Sequence, residues 1–377
     1  MTALDLLSTA ILAAMLAVAL YNLATAPRLE NAGEPSALPL VSILVPARDE
    51  AENLRRTLPH LLRTDYPRIE VLLLDDRSVD GTAEVAESIT RYVGAPLRVL
   101  RGTEPPPGWV GKNWACQQLA WSAAGDVLLF CDADVDAGPA AVRRTVAALQ
   151  RHDAGAVTAL PRQRLESWMQ AAVVPIIVQL PVLAMLPIRL IPITRSPSLS
   201  MANGQWLAIT RAAYDAVGGH AAVRGEVLED VALGRLVKAR GHCLVVCIAV
   251  SLLAVRMYDS AAGMREGFRK NLYPLLGGRR APFALGMVLL ALAWIYPFAG
   301  ALRGTVAAMV PLALLAALRV AAALLVRQDA RAVLLHPVGA LLAAGLAMES
   351  WIGHQRGRVT WRGRAVPTRV PAPGADG

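Results

Sequence analysis

The chain has only four cysteines and six histidines in 377 residues, and neither set is spaced for chemistry. Cys116, Cys131, Cys243 and Cys247 form no Cys-x-x-Cys pair, and no histidine cluster completes a zinc site. The cysteines are expected to be buried thiols in a reducing compartment. The histidines, at 60, 152, 220, 242, 336 and 354, are scattered, and none is assigned to catalysis. No Gly-x-Gly-x-x-Gly follows the first apolar strand, so a dinucleotide fold has no support. Gly111-Lys112-Asn113 is not a phosphate loop either. Pro106 stands where that motif has its first glycine, and Asn113 where it has Ser or Thr. There is no internal repeat and no heptad run.

Charge is also scarce, at 18% of residues against 55% hydrophobic. The apolar excess is concentrated in Leu6 to Leu23, Trp168 to Ile193 and Phe283 to Ile352, whereas Val41 to Arg164 has charges every few residues. This unevenness implies a water-soluble domain built between membrane segments. The net charge of +9 gathers beside the apolar stretches, at Arg265, Arg269, Lys270, Arg279 and Arg280 and at Arg356, Arg358, Arg362 and Arg364. Basic clusters in such places obey the positive-inside rule or meet anionic head groups, and nucleic-acid binding is not expected.

The first apolar run is followed by Ala24-Thr25-Ala26, which looks like a signal-peptidase site. However, no Lys or Arg precedes the run, and Arg28 follows it. An uncleaved anchor is therefore expected, with its N-terminus outside and the next domain cytoplasmic. The middle stretch carries Pro175, Pro181, Pro187 and Pro192. That spacing argues against a continuous helix and for an interfacial segment guiding a lipid acceptor. At the C-terminal end, Phe283–Ala301, Thr305–Val326 and Ala332–Ile352 each approach spanning length. A cytoplasmic basic tail requires that only two of them cross, with Ala332–Ile352 the exception.

Within the soluble part, short apolar β-rich runs alternate with helical patterns. Strands are expected at 40–46, 69–74, 97–100 and 127–131, and helices at 49–62, 82–92 and 113–124. This order predicts a mostly parallel sheet with helices on both faces, whose ligands bind at the carboxyl ends of the strands. The carboxylates gather there: Glu50, beside Arg48, after the first strand, Asp75 and Asp76 after the second, Asp132 and Asp134 after the fourth. Asp132-Ala133-Asp134 suits a hard divalent cation, Mg²⁺ or Mn²⁺, that shares its shell with substrate phosphates. Asp75 and Asp76 can accept from a ribose hydroxyl or a base N–H, while Asp80 is assigned to helix capping. Glu229-Asp230 either caps a helix start or supplies a carboxylate general base.

Taken together, Val-Pro-Ala-Arg-Asp-Glu (45–50), Asp75-Asp76, Pro-Gly-Trp-Val-Gly-Lys-Asn-Trp-Ala (107–115), Asp132-Ala-Asp134, Ala-Asn-Gly-Gln (202–205), Gly218-Gly219-His220 and Glu229-Asp230 resemble the membrane-associated family 2 glycosyltransferases. The nearest branch modifies bacterial carotenoids, hopanoids and glycolipids. The resemblance implies a GT-A fold and an inverting transfer from a nucleotide-diphosphate sugar, a UDP-sugar first, to a lipid or isoprenoid acceptor. It places Pro46, Arg48, Glu50, Asp75, Asp76, Lys112 and Asp132 at the nucleotide sugar and a divalent metal on Asp132 and Asp134. Asp230, with Glu229, becomes the catalytic base, and Asn203, Gly204, Gln205, Trp361 and Arg362 lie by the acceptor or donor sugar. Gln355 and Arg358 precede a tryptophan two residues later than in the Gln-x-x-Arg-Trp motif of processive relatives, so polymerisation is not expected. The implied division is 1–27 anchor, 38–165 nucleotide-sugar half, 166–280 acceptor half, 281–353 transmembrane region and 354–377 basic, then disordered, tail. The location implied is the cell inner membrane, multi-pass. The competing readings are a sugar nucleotidyltransferase, which lacks the glycine-rich loop it would need between Pro46 and Asn53, and a non-catalytic scaffold for nucleotide sugar or lipid.

Overall fold

The structure, a computed structural model, describes residues 2–93, 97–361 and 364–365. Arg362 and the tail from Val366 onward, with the disorder expected of it, lie outside the described residues. Contacts divide the chain into one unit of Pro27–Arg162 and Arg189–Arg256, and another of Met1–Ala26, Gln163–Ile188 and Met257–Gly377.

The first unit is an α/β sandwich. Strands β1 (Val41–Ala47), β2 (Ile69–Asp75), β3 (Leu97–Arg101) and β4 (Val127–Cys131) alternate with helices α2 (Ala51–Leu61), α3 (Thr82–Val93) and α4 (Gly111–Ser122). Close to the expected bounds, β1, β2 and β4 are buried on both faces, which explains their unbroken apolar runs. The remaining members of the seven-stranded sheet are β6 (Ala156–Leu160), β7 (Trp206–Thr210) and β8 (Leu244–Ile248), while β5 (Val135–Ala137) pairs with β9 (Leu253–Val255) outside it. The sheet order is β3-β2-β1-β4-β7-β6-β8. Only β7 runs antiparallel to its neighbours, β4 and β6. Pro46 is tolerated in a central strand because the pairing with β4 ends at Leu44, before the missing N–H would be needed. All four cysteines are free, and Cys116, Cys131 and Cys247 are buried; Cys243 is partly exposed.

The second unit is helical: α1 (Ala3–Thr25), α6 (Trp168–Met185), α8 (Ala261–Leu275), α9 (Arg280–Ala301), α10 (Val306–Val326) and α11 (His336–Gln355). The numbering leaves α5 (Ala141–Arg151) and α7 (Glu229–Ala239) in the first unit. The proline argument for a broken middle stretch is corrected here, because α6 is continuous through Pro175 and Pro181. A π-turn over Pro175–Gln179 ends in a bond from Leu180 N–H to the Pro175 carbonyl, one residue before Pro181. Helix α9 repeats the device, with a π-turn over Ala291–Ile295 one residue before Pro297. The wider turn takes up the missing N–H and the ring that would meet the carbonyl four residues back. Residues 166–188 and 257–280, assigned from sequence to the acceptor half, group with the helical unit instead. Buried Asn22 fastens α1 to the end of α6, donating to the carbonyls of Leu183 and Leu186 and accepting from Ile188 N–H at 2.8 to 2.9 Å.

Candidate active site

Two loops at the carboxyl end of the sheet are stitched together. After β1, Asp49 N–H donates to Ser78 Oγ and Glu50 N–H to Thr82 Oγ1, each at 2.9 Å. In return Val79 N–H donates to Asp49 Oδ1, and Asp49 and Arg77 both take left-handed backbone, with φ of 52° and 62°. Asp80 caps, as its position suggests. One carboxylate receives Thr82 N–H at the start of α3 and Ala51 N–H at the start of α2. Asp75 is buried and pairs with Arg101 at 2.9 Å while accepting Ser78 N–H. Asp76 is buried too, and its carbonyl accepts from Arg48. Glu50 accepts from Asn53 Nδ2 at 2.6 Å. These contacts fix the cleft wall at the residues assigned to the nucleotide.

The charged centre joins three separate parts of the chain. Lys112, in the first turn of α4, meets Asp132 at 2.9 Å and Glu229, in the first turn of α7, at 3.0 Å. Burial works against its ammonium, but the Asp132 and Glu229 carboxylates outweigh that and raise its pKa well above the ordinary lysine value. Beside them, Asp230 Oδ2 accepts Gly204 N–H at 2.7 Å and Oδ1 accepts Val231 N–H at 2.8 Å. Burial, then the charge of Glu229, lifts the Asp230 pKa to about 6. Gly204 suits this close approach: an added Cβ would lie 3.2 Å from Lys112 Nζ and 3.3 Å from Asp230 Oδ2, so those side chains would have to give way. Asn203 and Gln205 hold the turn around it, and the Gln205 carbonyl accepts Asp132 N–H.

Asp134 completes the acidic pair. Its Oδ1 is buried and has no hydrogen-bond partner among the described residues, and burial with the charges of Asp132 and Glu50 pushes its pKa well up. A buried carboxylate oxygen without a donor, next to a second carboxylate, fits a divalent cation. Among the described residues no third Asp, Glu, His or Cys joins the two. The remaining positions of such a cation would fall to substrate oxygens and water, the usual habit of Mg²⁺ and Mn²⁺.

Two further residues, named in the sequence motifs without a role, shape the centre. Asn113, fully buried, donates its amide to the carbonyls of Val223, Arg224 and Glu226 at 2.7 to 3.2 Å, tying the start of α4 to the loop that leads into Glu229-Asp230. Its place beside Lys112 was the available signal. His220 is buried with Nδ1 2.9 Å from the Tyr214 hydroxyl, and burial lowers its pKa to about 4. It is therefore neutral near pH 7. Trp361 belongs to the helical unit, where Lys270 lies over its ring at 5.0 Å.

A family model described as glycosyl transferase family 21 matches residues 7–370, whereas the sequence resemblance was to family 2 members. The 4,4'-diaponeurosporenoate glycosyltransferase of Staphylococcus haemolyticus is 35% identical over 96 residues, 26% of this chain and 24% of that protein. Its namesake from Staphylococcus aureus strain USA300 is 24% identical over 258 residues, 68% of this chain and 66% of its own length. The chain thus spans less than two thirds of these curated relatives. Among solved structures, a mannosyltransferase from Pyrobaculum calidifontis in complex with GDP-Man and Mn²⁺ matches at a TM-score of 0.54 and 18% identity. That match covers 93% of this chain and 98% of the other, a likeness of fold.

Proposed function

Because the chain belongs to glycosyl transferase family 21 and has a GT-A fold, we propose that it moves a sugar, as family 2 hexosyltransferases do, from a nucleoside-diphosphate sugar to a carotenoid-type or other isoprenoid lipid, inverting the anomeric carbon. The donor taken first is a UDP-hexose, and the place is the cytoplasmic face of the cell inner membrane. The observation that carries this reading is the meeting of Lys112, Asp132 and Glu229, with Asp230 alongside. In this reading, groups for the donor and groups for the acceptor meet there.

In this reading the loops after β1 and β2, with Pro46, Arg48, Glu50, Asp75 and Asp76, bind base and ribose, and Lys112 faces the diphosphate. A divalent cation on Asp132 and Asp134 would supply neutralisation of the charge gathering on the departing diphosphate. Asp230, oriented by Gly204 and Val231 N–H groups, takes the proton of an acceptor hydroxyl as its oxygen bonds to the anomeric carbon. The bond to the phosphate oxygen breaks with its electron pair, on the opposite face. The names of the curated relatives point to a carboxylate acceptor. Such an oxygen is already an anion, and Asp230 would then orient the acceptor rather than deprotonate it.

The test is turnover by the purified chain in lipid nanodiscs, supplied with UDP- or GDP-sugars and extracted isoprenoid lipids, with the product weighed by mass spectrometry. Expected is a lipid heavier by one hexose, lost in Asp230→Asn. Nucleotide-sugar synthesis from nucleoside triphosphate and sugar 1-phosphate would instead identify a nucleotidyltransferase. Donor binding without product from any lipid would identify a scaffold.

A further inference from the structure

Helices α8 and α11 of the helical unit border a crevice of about 420 Å³. One stripe of α11 forms a wall of it: Gly345, Met348, Glu349, Ile352, Gly353 and Arg356 recur at helical spacing. From α8 come Arg265 and Arg269, one turn apart, and Arg358 follows α11. The two glycines act differently. At Gly353 an added Cβ would sit 3.0 Å from Arg269 Nε, so the missing side chain lets that guanidinium lie against the helix. At Gly345 nothing lies within 4 Å, and the crevice is open.

Its charge is unbalanced. Four guanidinium groups face one carboxylate, Glu349, which Arg265 takes up at 2.7 to 3.0 Å. Arg269 donates to the Arg358 carbonyl at 2.9 Å, but its Nε is buried without a hydrogen-bond partner. Among the described residues, the guanidinium groups of Arg356 and Arg358 form no ion pair. The same stripe is exposed and apolar: Leu341 is 61% accessible, Met348 38% and Ile352 39%. An arginine-rich recess running into an exposed apolar stripe matches a phosphate carried on acyl chains, because guanidinium forks pair with phosphate oxygens and the chains cover the stripe.

We propose that this crevice is a binding site for the phosphate head group of an anionic membrane phospholipid, whose acyl chains lie against Leu341, Met348 and Ile352. The proposal does not depend on the identity of donor or acceptor.

The experiment uses the full chain in detergent micelles and measures binding of tail-labelled phosphatidylglycerol and phosphatidylcholine by thermophoresis. The wild type is expected to prefer phosphatidylglycerol by roughly tenfold or more. The double variant Arg356→Gln, Arg358→Gln removes charge, and Gly345→Phe fills the recess where no atom opposes it. Each is expected to abolish the preference while the circular dichroism spectrum stays that of the wild type. Should the arginine variant fail to fold, Gly345→Phe decides alone. Equal binding of the two lipids by the wild type, or an unchanged preference in Gly345→Phe, overturns the proposal. Competition by glycerol 3-phosphate as effective as by the lipid also overturns it, since the site would then be one for free phosphate.

Discussion

Removing the Lys112 ammonium would take from Asp132 and Glu229 the cation that each meets at 2.9 and 3.0 Å. It would also remove the positive group proposed to face the diphosphate. A hydrogen bond to a charged group contributes about 1.5–3 kcal/mol, so Lys112→Met is expected to weaken donor binding roughly ten- to a hundredfold by calorimetry. An unchanged affinity would confine Lys112 to holding the carboxylates in place. For Asp230 the sign follows from the base form. With a pKa lifted to about 6, the carboxylate is ionised above that pH and protonated below it. Turnover on a hydroxyl acceptor is therefore expected to fall as pH drops through about 6, with Asp230→Asn losing a factor on the order of 10²–10⁴ and the pH limb together. Donor affinity should survive in that variant, and its loss would assign Asp230 to donor binding. The acidic residues at the strand ends were legible in sequence because each follows an apolar run directly. The contact of Lys112 with Glu229 and the Asn113 clamp were not, since both join stretches far apart in the chain.

At the scale of elements, β1, β2 and β4 could be read because both faces are buried and the runs are unbroken. Strand β7 has the same burial, but its antiparallel insertion between β4 and β6 depends on tertiary pairing and leaves no local mark. At α6 the expected break is overturned at Pro181, where a π-turn takes up the ring, whereas the helix does end before Pro187. Its packing is close enough to test at single glycines. A Cβ on Gly339 would lie 2.0 Å from the Ala172 carbonyl oxygen, so α11 meets α6 backbone to backbone, as small residues allow between membrane helices. Gly339→Ala is expected to cost on the order of 1–3 kcal/mol or more and to lower the melting temperature in detergent. Gly345→Ala, on the same helix but with open space before it, should be neutral or up to about 1 kcal/mol stabilising from helix propensity. Equal melting of the two variants would mean that the α6–α11 approach is not this close.

For the whole molecule the question is which helices cross the bilayer. Among the described residues four are long and apolar enough, Ala3–Thr25, Trp168–Met185, Arg280–Ala301 and Val306–Val326, and α11 is not one of them. Connectivity restricts Trp168–Met185. The sequence before it supplies β4 and β6 and the sequence after it supplies β7, and β7 lies between those two strands in one sheet. A single crossing by α6 would put neighbouring strands on opposite sides of the membrane, so α6 is expected not to cross. Helix α1 is then expected to cross once, and α9 and α10 to cross out and back. The ion pair of Asp5 with Arg303, joined by the Tyr296 hydroxyl, supports this arrangement by placing the start of α1 at the α9–α10 turn. The turn carries few charges, whereas Arg265, Arg269, Lys270, Arg279 and Arg280 precede α9, and positive residues favour the cytoplasm. The basic tail is therefore expected inside. A cysteine at Ala372, in an otherwise cysteine-free chain, should resist an impermeant thiol reagent in intact cells and react after permeabilisation, while one at Thr2 should react at once. Labelling at Ala372 without permeabilisation would require one more crossing, by α11, and would put the tail outside.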